Sequence, residues 1–285
     1  MLKIRRRDFL KALAVGLIGG NLATEALAWN DSVLPSPPPY NLDKSIKDYL
    51  HKMKHFNKPR KEDIRVSMEE YATFTSVVKR LRRLEAFVGH GNFQYLNFDN
   101  CLLFARNYEQ IGKFTEKELN FLEETFYRDA AMYGFLGSKP LMNITDNIKK
   151  NEVIKVPYSG TFLRKDPSLD IFSKIRKKVG DELVLTSGVR GIMKQFLLFL
   201  NKAYTHGGNL SLASRSLAPP GYSFHGIGDF DVGKRGFGIK NFTEGFTSTE
   251  VYRKLVEFGY LTLRYPDKNL LGVRYEPWHI KISGA

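Results

Sequence analysis

Residues 274–282 read RYEPWHIKI. The flanks are those of a terminal β-strand, and strands reserve their inward positions for apolar side chains. Glu276 and His279 either lie on an exposed face or take part in chemistry. Three residues apart, they would point to opposite faces of a regular strand. Pro277, which has no amide to give a sheet, can turn Glu276 toward the same site as His279. What the pair does depends on the partners that the rest of the chain supplies.

Three other patches carry polar residues that a core would not choose. They are TSGVRG at 186–191 (Ser187, Arg190), GYSFHGIGDFDVG at 221–233 (Ser223, His225, Asp229, Asp231) and LRYPDK at 263–268 (Arg264). A catalytic zinc site takes three protein ligands from His, Asp or Glu and leaves a fourth position for water. A nearby carboxylate can accept that water's proton, and a cation can stabilise the oxyanion. His225, one Asp, His279, Glu276 and Arg190 would fill those places. In a straight strand His225 and Asp231 would stand about 20 Å apart. The chain must therefore double back between them, which Gly226 and Gly228 permit through φ > 0.

The order of these patches resembles the VanY-type zinc D-alanyl-D-alanine carboxypeptidases and related peptidoglycan D,D- and L,D-peptidases. The matching residues are Ser187-Gly188-Val189-Arg190, Ser223-Phe224-His225-Gly226-Ile227-Gly228, Phe258-Gly259-Tyr260, Arg264-Tyr265-Pro266 and Glu276-Pro277-Trp278-His279. The resemblance covers residues 155–282. It implies that His225, His279 and an Asp bind zinc and that Glu276 is the general base. It also implies that Arg190 polarises the scissile carbonyl or holds the oxyanion. Ser223 would contact the substrate or support the site, with Ser187 and Gln195 as further candidates on the substrate side. The family's Asp usually lies seven residues after the His, but position 232 is Val here, and Asp231 and Asp229 lie six and four after it. The apolar-Asp-apolar form of FDV favours Asp231 as the third ligand, with Asp229 the alternative. The substrate implied is the peptidoglycan stem peptide, cut as a D,D-carboxypeptidase. The alternatives are an endopeptidase of the same family and a weakly active or inactive zinc-containing wall-binding protein.

The fold class expected is α+β: a small antiparallel sheet flanked by helices and carrying the zinc site over residues 151–285, after a mostly helical region at 41–150. Apolar spacings of three and four place a helix in SMEEYATFTSVVKRLRRLEAFVG, ending on Gly89. Its basic run KRLRRLE reads as a solvated face. Thr115 and Glu118 form a capping box for a helix closing near Gly134 or Gly137. Further on, Asp166 is expected to cap a helix, Thr247 and Glu250 to form a second capping box, and YLTLRYPD to pair with VRYEPWHIKI as a hairpin. His51, His55, His90 and His206 are isolated and read as bystanders.

The chain has 285 residues and a formal net charge of +14. Residues 1–28 join a basic head to a short apolar stretch and an A-x-A pattern at Ala26 and Ala28, a secretory signal too short for a stable membrane span. The run Arg6-Arg7-Asp8-Phe9-Leu10-Lys11 resembles the twin-arginine export motif, and it implies a periplasmic or cell-envelope address. The signal holds five basic and two acidic side chains, so the remaining chain keeps a charge of +11. For an exported protein that charge suits an anionic wall or membrane surface, and nucleic acid is not an expected partner. Residues 29–40 are a proline-rich linker. The lone Cys101 excludes an internal disulfide and sits in an apolar segment, as a buried thiol does.

Overall fold

A computed structural model describes residues 42–282 of the chain. The expected signal and linker lie outside the described residues. Five helices come first: α1 (Leu42–Lys54), α2 (Met68–Val88), the short α3 (His90–Phe93), α4 (Phe98–Asn107) and α5 (Glu116–Tyr127). Ser67 caps α2 by accepting the Glu70 N–H, and Thr115 and Glu118 close the capping box of α5. α5 stops at Tyr127, short of the glycines. Asp129 there accepts the Ala131 N–H and starts a separate 3₁₀ turn, Ala130–Tyr133, which ends on Gly134.

The basic run of α2 is solvated at Lys79, Arg82 and Arg83, as expected, and departs from that only at Arg80. Arg80 is buried, and its Nε and Nη2 donate to Glu118 Oε1 at 3.2 and 3.1 Å, while Arg83 reaches the Ile111 carbonyl. Burial alone would raise the Glu118 carboxyl. Hydrogen bonds from Ser76, the Thr115 N–H and Arg80 outweigh it and hold the group below its ordinary value. A depressed folded-state pKa stabilises the fold above the ordinary Glu range, and the stabilisation is lost as pH falls through the lower folded value. Glu118→Gln, which strands the buried Arg80, is expected to cost about 3 kcal/mol at neutral pH. Urea unfolding across an acid pH series should show a shallower loss of stability for this variant than for the parent.

The second half opens with a hairpin that the sequence did not announce, β1 (Val153–Lys155) paired antiparallel with β2 (Phe162–Arg164). Then follow α6 (Asp170–Val179), β3 (Leu183–Ser187), α7 (Ile192–Tyr204), α8 (Leu210–Ser214), β4 (Phe230–Lys234), α9 (Glu250–Glu257) and β5 (His279–Ile280). α6 is continued backward by a π-helical segment, Lys165–Leu169, in which Asp166 alone is extended, as a residue ahead of a helix is; no side-chain cap bond opens α6 itself. Thr249, not Thr247, caps α9, because its hydroxyl accepts the Tyr252 N–H while Thr247 bonds back to Glu244.

β3, β4 and β5 form an antiparallel sheet in that order. The expected terminal hairpin reduces to a single bridge between Leu263 and Ile280, and β5 pairs with β4 instead. Pro266 and Pro277 interrupt both segments, and neither can donate to a ladder. Under the sheet, Phe230 and Val232 pack with Leu183, Leu185, Phe172, Ile175, Val251 and Leu255. A larger core joins Phe74, Val77, Leu81 and Phe121 to Phe196, Phe199 and Leu200, so α2 and α5 share their apolar interior with α7. Cys101 lies in this core, where burial pushes its thiol pKa up. Among the described residues no helix is long and apolar enough to cross a membrane.

Candidate metal centre

Sheet register assembles the site. Ser187 pairs with Asp231, and Asp231 with His279, so three strands set these residues in one row. A register shift between Leu185 and Ser187 ends the regular ladder beside it. Residues of one strand alternate between faces. With Phe230 and Val232 committed to the core, Asp231 faces the other way, toward the cleft.

His225 reaches the row from the loop before β4. The Phe224 carbonyl accepts the N–H groups of Ile227, Gly228 and Asp229, which folds the chain back within four residues. Gly228 makes that turn at φ 141°. Gly226 has no positive φ; it is small because a Cβ there would meet the Leu141 side chain at 2.6 Å. The Gly226 and Gly228 carbonyls accept from Arg164 and Ser168, which ties the loop to the hairpin and the turn before α6.

Each histidine presents one nitrogen to the centre and anchors the other. His225 Nδ1 lies 2.7 Å from the Gly188 carbonyl, which can only accept. The proton is therefore on Nδ1, and Nε2 carries a lone pair. Gly188 can hold that carbonyl in place because a Cβ on it would collide with the Phe162 carbonyl at 1.9 Å. His279 Nε2 donates to Asp229 Oδ2 at 3.0 Å, leaving Nδ1 to face Asp231 Oδ1 at 3.5 Å and Glu276 Oε2 at 3.4 Å.

His225 Nε2 and Asp231 Oδ1 are 3.3 Å apart and buried, yet neither makes a hydrogen bond. Two buried acceptors facing each other repel unless a cation stands between them. Ligand atoms of His225, Asp231 and His279 all lie within 4.8 Å of one another. This donor set fits a small divalent ion, and each ring is held by a partner behind it, as metal-binding histidines are.

The charges agree with that reading. Burial first, then Arg190, lowers the His225 pKa, so the ring is neutral and its lone pair free. Burial opposes the charged form of Asp231, but the Arg190 guanidinium, bonded to it at 2.6 Å, is among the groups that outweigh burial and hold the carboxyl well below its usual range. Burial also opposes charge on His279, yet Asp229, Glu276 and Asp231 raise it to about 9. Carboxylates gathered around this ring favour a positive charge, whether a proton on Nδ1 or a metal ion.

The two aspartates have different tasks. Asp231 faces the cluster, with Oδ2 held by Arg190 Nη2 at 2.6 Å. Asp229 is fully engaged behind it, accepting from His279, from the Ile282 N–H and from Nε and Nη2 of Arg264 at 2.7 and 3.0 Å. Glu276 shares the site because residues 276–279 form a turn, closed by the His279 N–H on the Glu276 carbonyl, with Pro277 at its second position.

His225, Asp231, His279, Glu276, Arg190 and Ser223 line one cleft of about 490 Å³. Ser187 instead accepts from Arg190 Nε at 3.0 Å and lies in a neighbouring cavity. Gln195 is buried behind the wall. Its amide donates to the Arg190 carbonyl and its oxygen accepts the Gly221 N–H, so it joins the strand end to the loop and leaves no group for a substrate. Sequence reasoning missed Arg274, Trp278, Phe56, Asn57 and Lys202, which line the same cleft. It also missed Tyr265, whose ring packs on His279 at 5.4 Å between centroids. The four isolated histidines stay outside the cluster.

A buried His-Asp-His cluster with a glutamate at its rim, open to a cleft, is the arrangement of a metal-dependent hydrolase. Residues 166–285 match the model of the VanY family, D-alanyl-D-alanine carboxypeptidase, so this part of the chain is similar to that family of peptidases. Similar solved structures include the LdcB LD-carboxypeptidase, 24% identical over 47% of this chain and 69% of that one, with a TM-score of 0.40. A VanY D,D-pentapeptidase in complex with Zn(II) is 25% identical over 53% of this chain and 89% of its own, with a TM-score of 0.39. The D,D-dipeptidase VanXYg, bound to a D-Ala-D-Ala phosphinate analogue, is 22% identical over 55% of this chain and 63% of its own, with a TM-score of 0.40. A search of curated proteins returned no match.

Proposed function

We propose that this chain is an exported zinc peptidase of the cell envelope that removes the terminal D-Ala from peptidoglycan stem peptides. The observation that carries the reading is the pair of buried, unbonded acceptors, His225 Nε2 and Asp231 Oδ1, facing each other beside His279 Nδ1 and Glu276. The family description supplies the substrate class. His225, Asp231 and His279 would hold the zinc ion, and zinc bound there supplies Lewis acidity toward water and the scissile carbonyl.

Glu276 is placed to accept a proton from the attacking water as its oxygen bonds to the carbonyl carbon. It then returns the proton to the amine nitrogen as the C–N bond breaks. Arg190 lines the cleft with its guanidinium fixed on Asp231 and Ser187, a preorganised cation for the oxyanion. No side chain here acts as a nucleophile, so no acyl-enzyme forms.

The test is digestion of defined pentapeptide muropeptides by the zinc-loaded protein, read by mass spectrometry. Loss of one terminal alanine, abolished by a chelator and restored by zinc, is expected. A different fragment would reassign the protein as an endopeptidase. Stoichiometric zinc with no product from any stem peptide would favour a wall-binding protein. The twin-arginine address is tested separately, by exchanging Arg6 and Arg7 for lysine and following export of the folded protein.

A further inference from the structure

Arginines packed around the cluster are mostly spent on aspartates: Arg190 on Asp231, Arg264 on Asp229 and Arg215 on Asp63. Arg274 is the exception. Its guanidinium lies between two rings, 4.4 Å from the Phe56 centroid and 4.7 Å from that of Trp278, and Nη1 donates to the Phe242 carbonyl at 3.0 Å. Glu276 stands 3.9 Å from Nε, too far for a hydrogen bond, and the buried Nε has no hydrogen-bond partner among the described residues. The stacking immobilises the cation without neutralising it.

A second cation faces the same cleft. Lys202, on α7, donates to Asn57 Oδ1 at 2.9 Å, and burial together with the Arg274 charge lowers its pKa. Two partly buried cations that repel each other are held where an anion would relieve both. We propose that Arg274 and Lys202 form a carboxylate subsite beside the metal centre, which selects peptides that end in a free α-carboxylate. This inference rests on the peptidase reading above and deepens it. In a carboxypeptidase the residue released carries that carboxylate one residue beyond the scissile bond. Arg274 lines the same cleft as Glu276, the group proposed to hand a proton to the departing amine.

The subsite also gives the helical region a task. Phe56 and Asn57 belong to the connection between α1 and α2. That connection is fixed by Arg215, which donates to the Lys58 carbonyl at 3.0 Å and pairs with the buried Asp63. The Arg215 carbonyl in turn accepts the Arg274 N–H at 2.9 Å. One buried arginine thus holds both the ring that stacks on Arg274 and the backbone that carries it.

The test uses the full chain, zinc-loaded and carrying Glu276→Gln so that substrate is held without turnover. Diacetyl-L-Lys-D-Ala-D-Ala and its C-terminal carboxamide are titrated by calorimetry. The free acid should bind at least about 30-fold more tightly than the amide, the range of a charge-assisted contact. Adding Arg274→Gln should bring the two within about threefold, and Lys202→Gln should lower the ratio in part. Arg274→Lys should not restore it, since an ammonium cannot lie flat between two rings. Lys202 is partly exposed, so its variant keeps the comparison available if the Arg274 variant unfolds. Equal binding of acid and amide, or a ratio unmoved by both variants, overturns the subsite alone. Binding of neither ligand overturns the substrate reading and the subsite with it.

Discussion

Glu276→Gln is expected to lower kcat/KM for the pentapeptide substrate by about 10³-fold, within the range that one general base supplies, while zinc content and melting temperature stay those of the parent. The isosteric amide keeps the shape of the turn at Pro277 but cannot take a proton from water. Glu276 is at the cleft with Oε2 3.4 Å from His279 Nδ1, and it makes no hydrogen bond that the fold depends on. Steady-state kinetics beside metal analysis separates the outcomes. Activity and zinc lost together would make Glu276 a ligand, and full activity would place the base elsewhere.

The second large effect is a contrast between two variants. His225→Ala removes a ligand atom that makes no hydrogen bond, so the protein should lose zinc on dialysis and all measurable activity while remaining folded. The cost to the fold is about 1–3 kcal/mol, from the Gly188 carbonyl that loses its donor. Asp229→Asn leaves all three ligands in place and weakens their support. Its zinc affinity should fall by about 10–100-fold.

Stability should fall further for Asp229→Asn than for His225→Ala, because Arg264 is left without the buried carboxylate that closes it. Burial would raise the Asp229 carboxyl, but His279 and Arg264 hold it well below its usual range, so the native state depends on its charge. Zinc titration and thermal melting of both variants decide the matter. Retention of stoichiometric zinc by His225→Ala would remove His225 from the centre.

Some of this was written locally in the chain. The capping box at Thr115 and Glu118 and the helix of 68–88 follow from spacing and caps alone. So does the strand at Phe230, Asp231 and Val232, since hydrogen bonds within a few residues and one apolar face specify each of them. The helix start at Thr247 was misread because several hydroxyls compete for one cap, and the winner, Thr249, depends on neighbours in space. The terminal hairpin failed because Pro266 and Pro277 cannot pair, and β4 offered a better edge.

The chemical identity of the centre was also in the sequence, because a zinc site needs His, Asp and Glu side chains whatever holds them. The apolar-Asp-apolar form of FDV favoured Asp231 over Asp229 without deciding between them. That choice follows from the sheet, where Phe230 and Val232 take the core side and Arg264 closes on Asp229. Nor could spacing show that Arg80 is buried, or that Phe56 and Trp278 clamp Arg274. Such contacts join residues far apart in the chain and leave no local pattern. Residue types determined what chemistry is available to this protein. Only the packing of distant segments decided which atom of each group faces which, because that depends on register, burial and close approach.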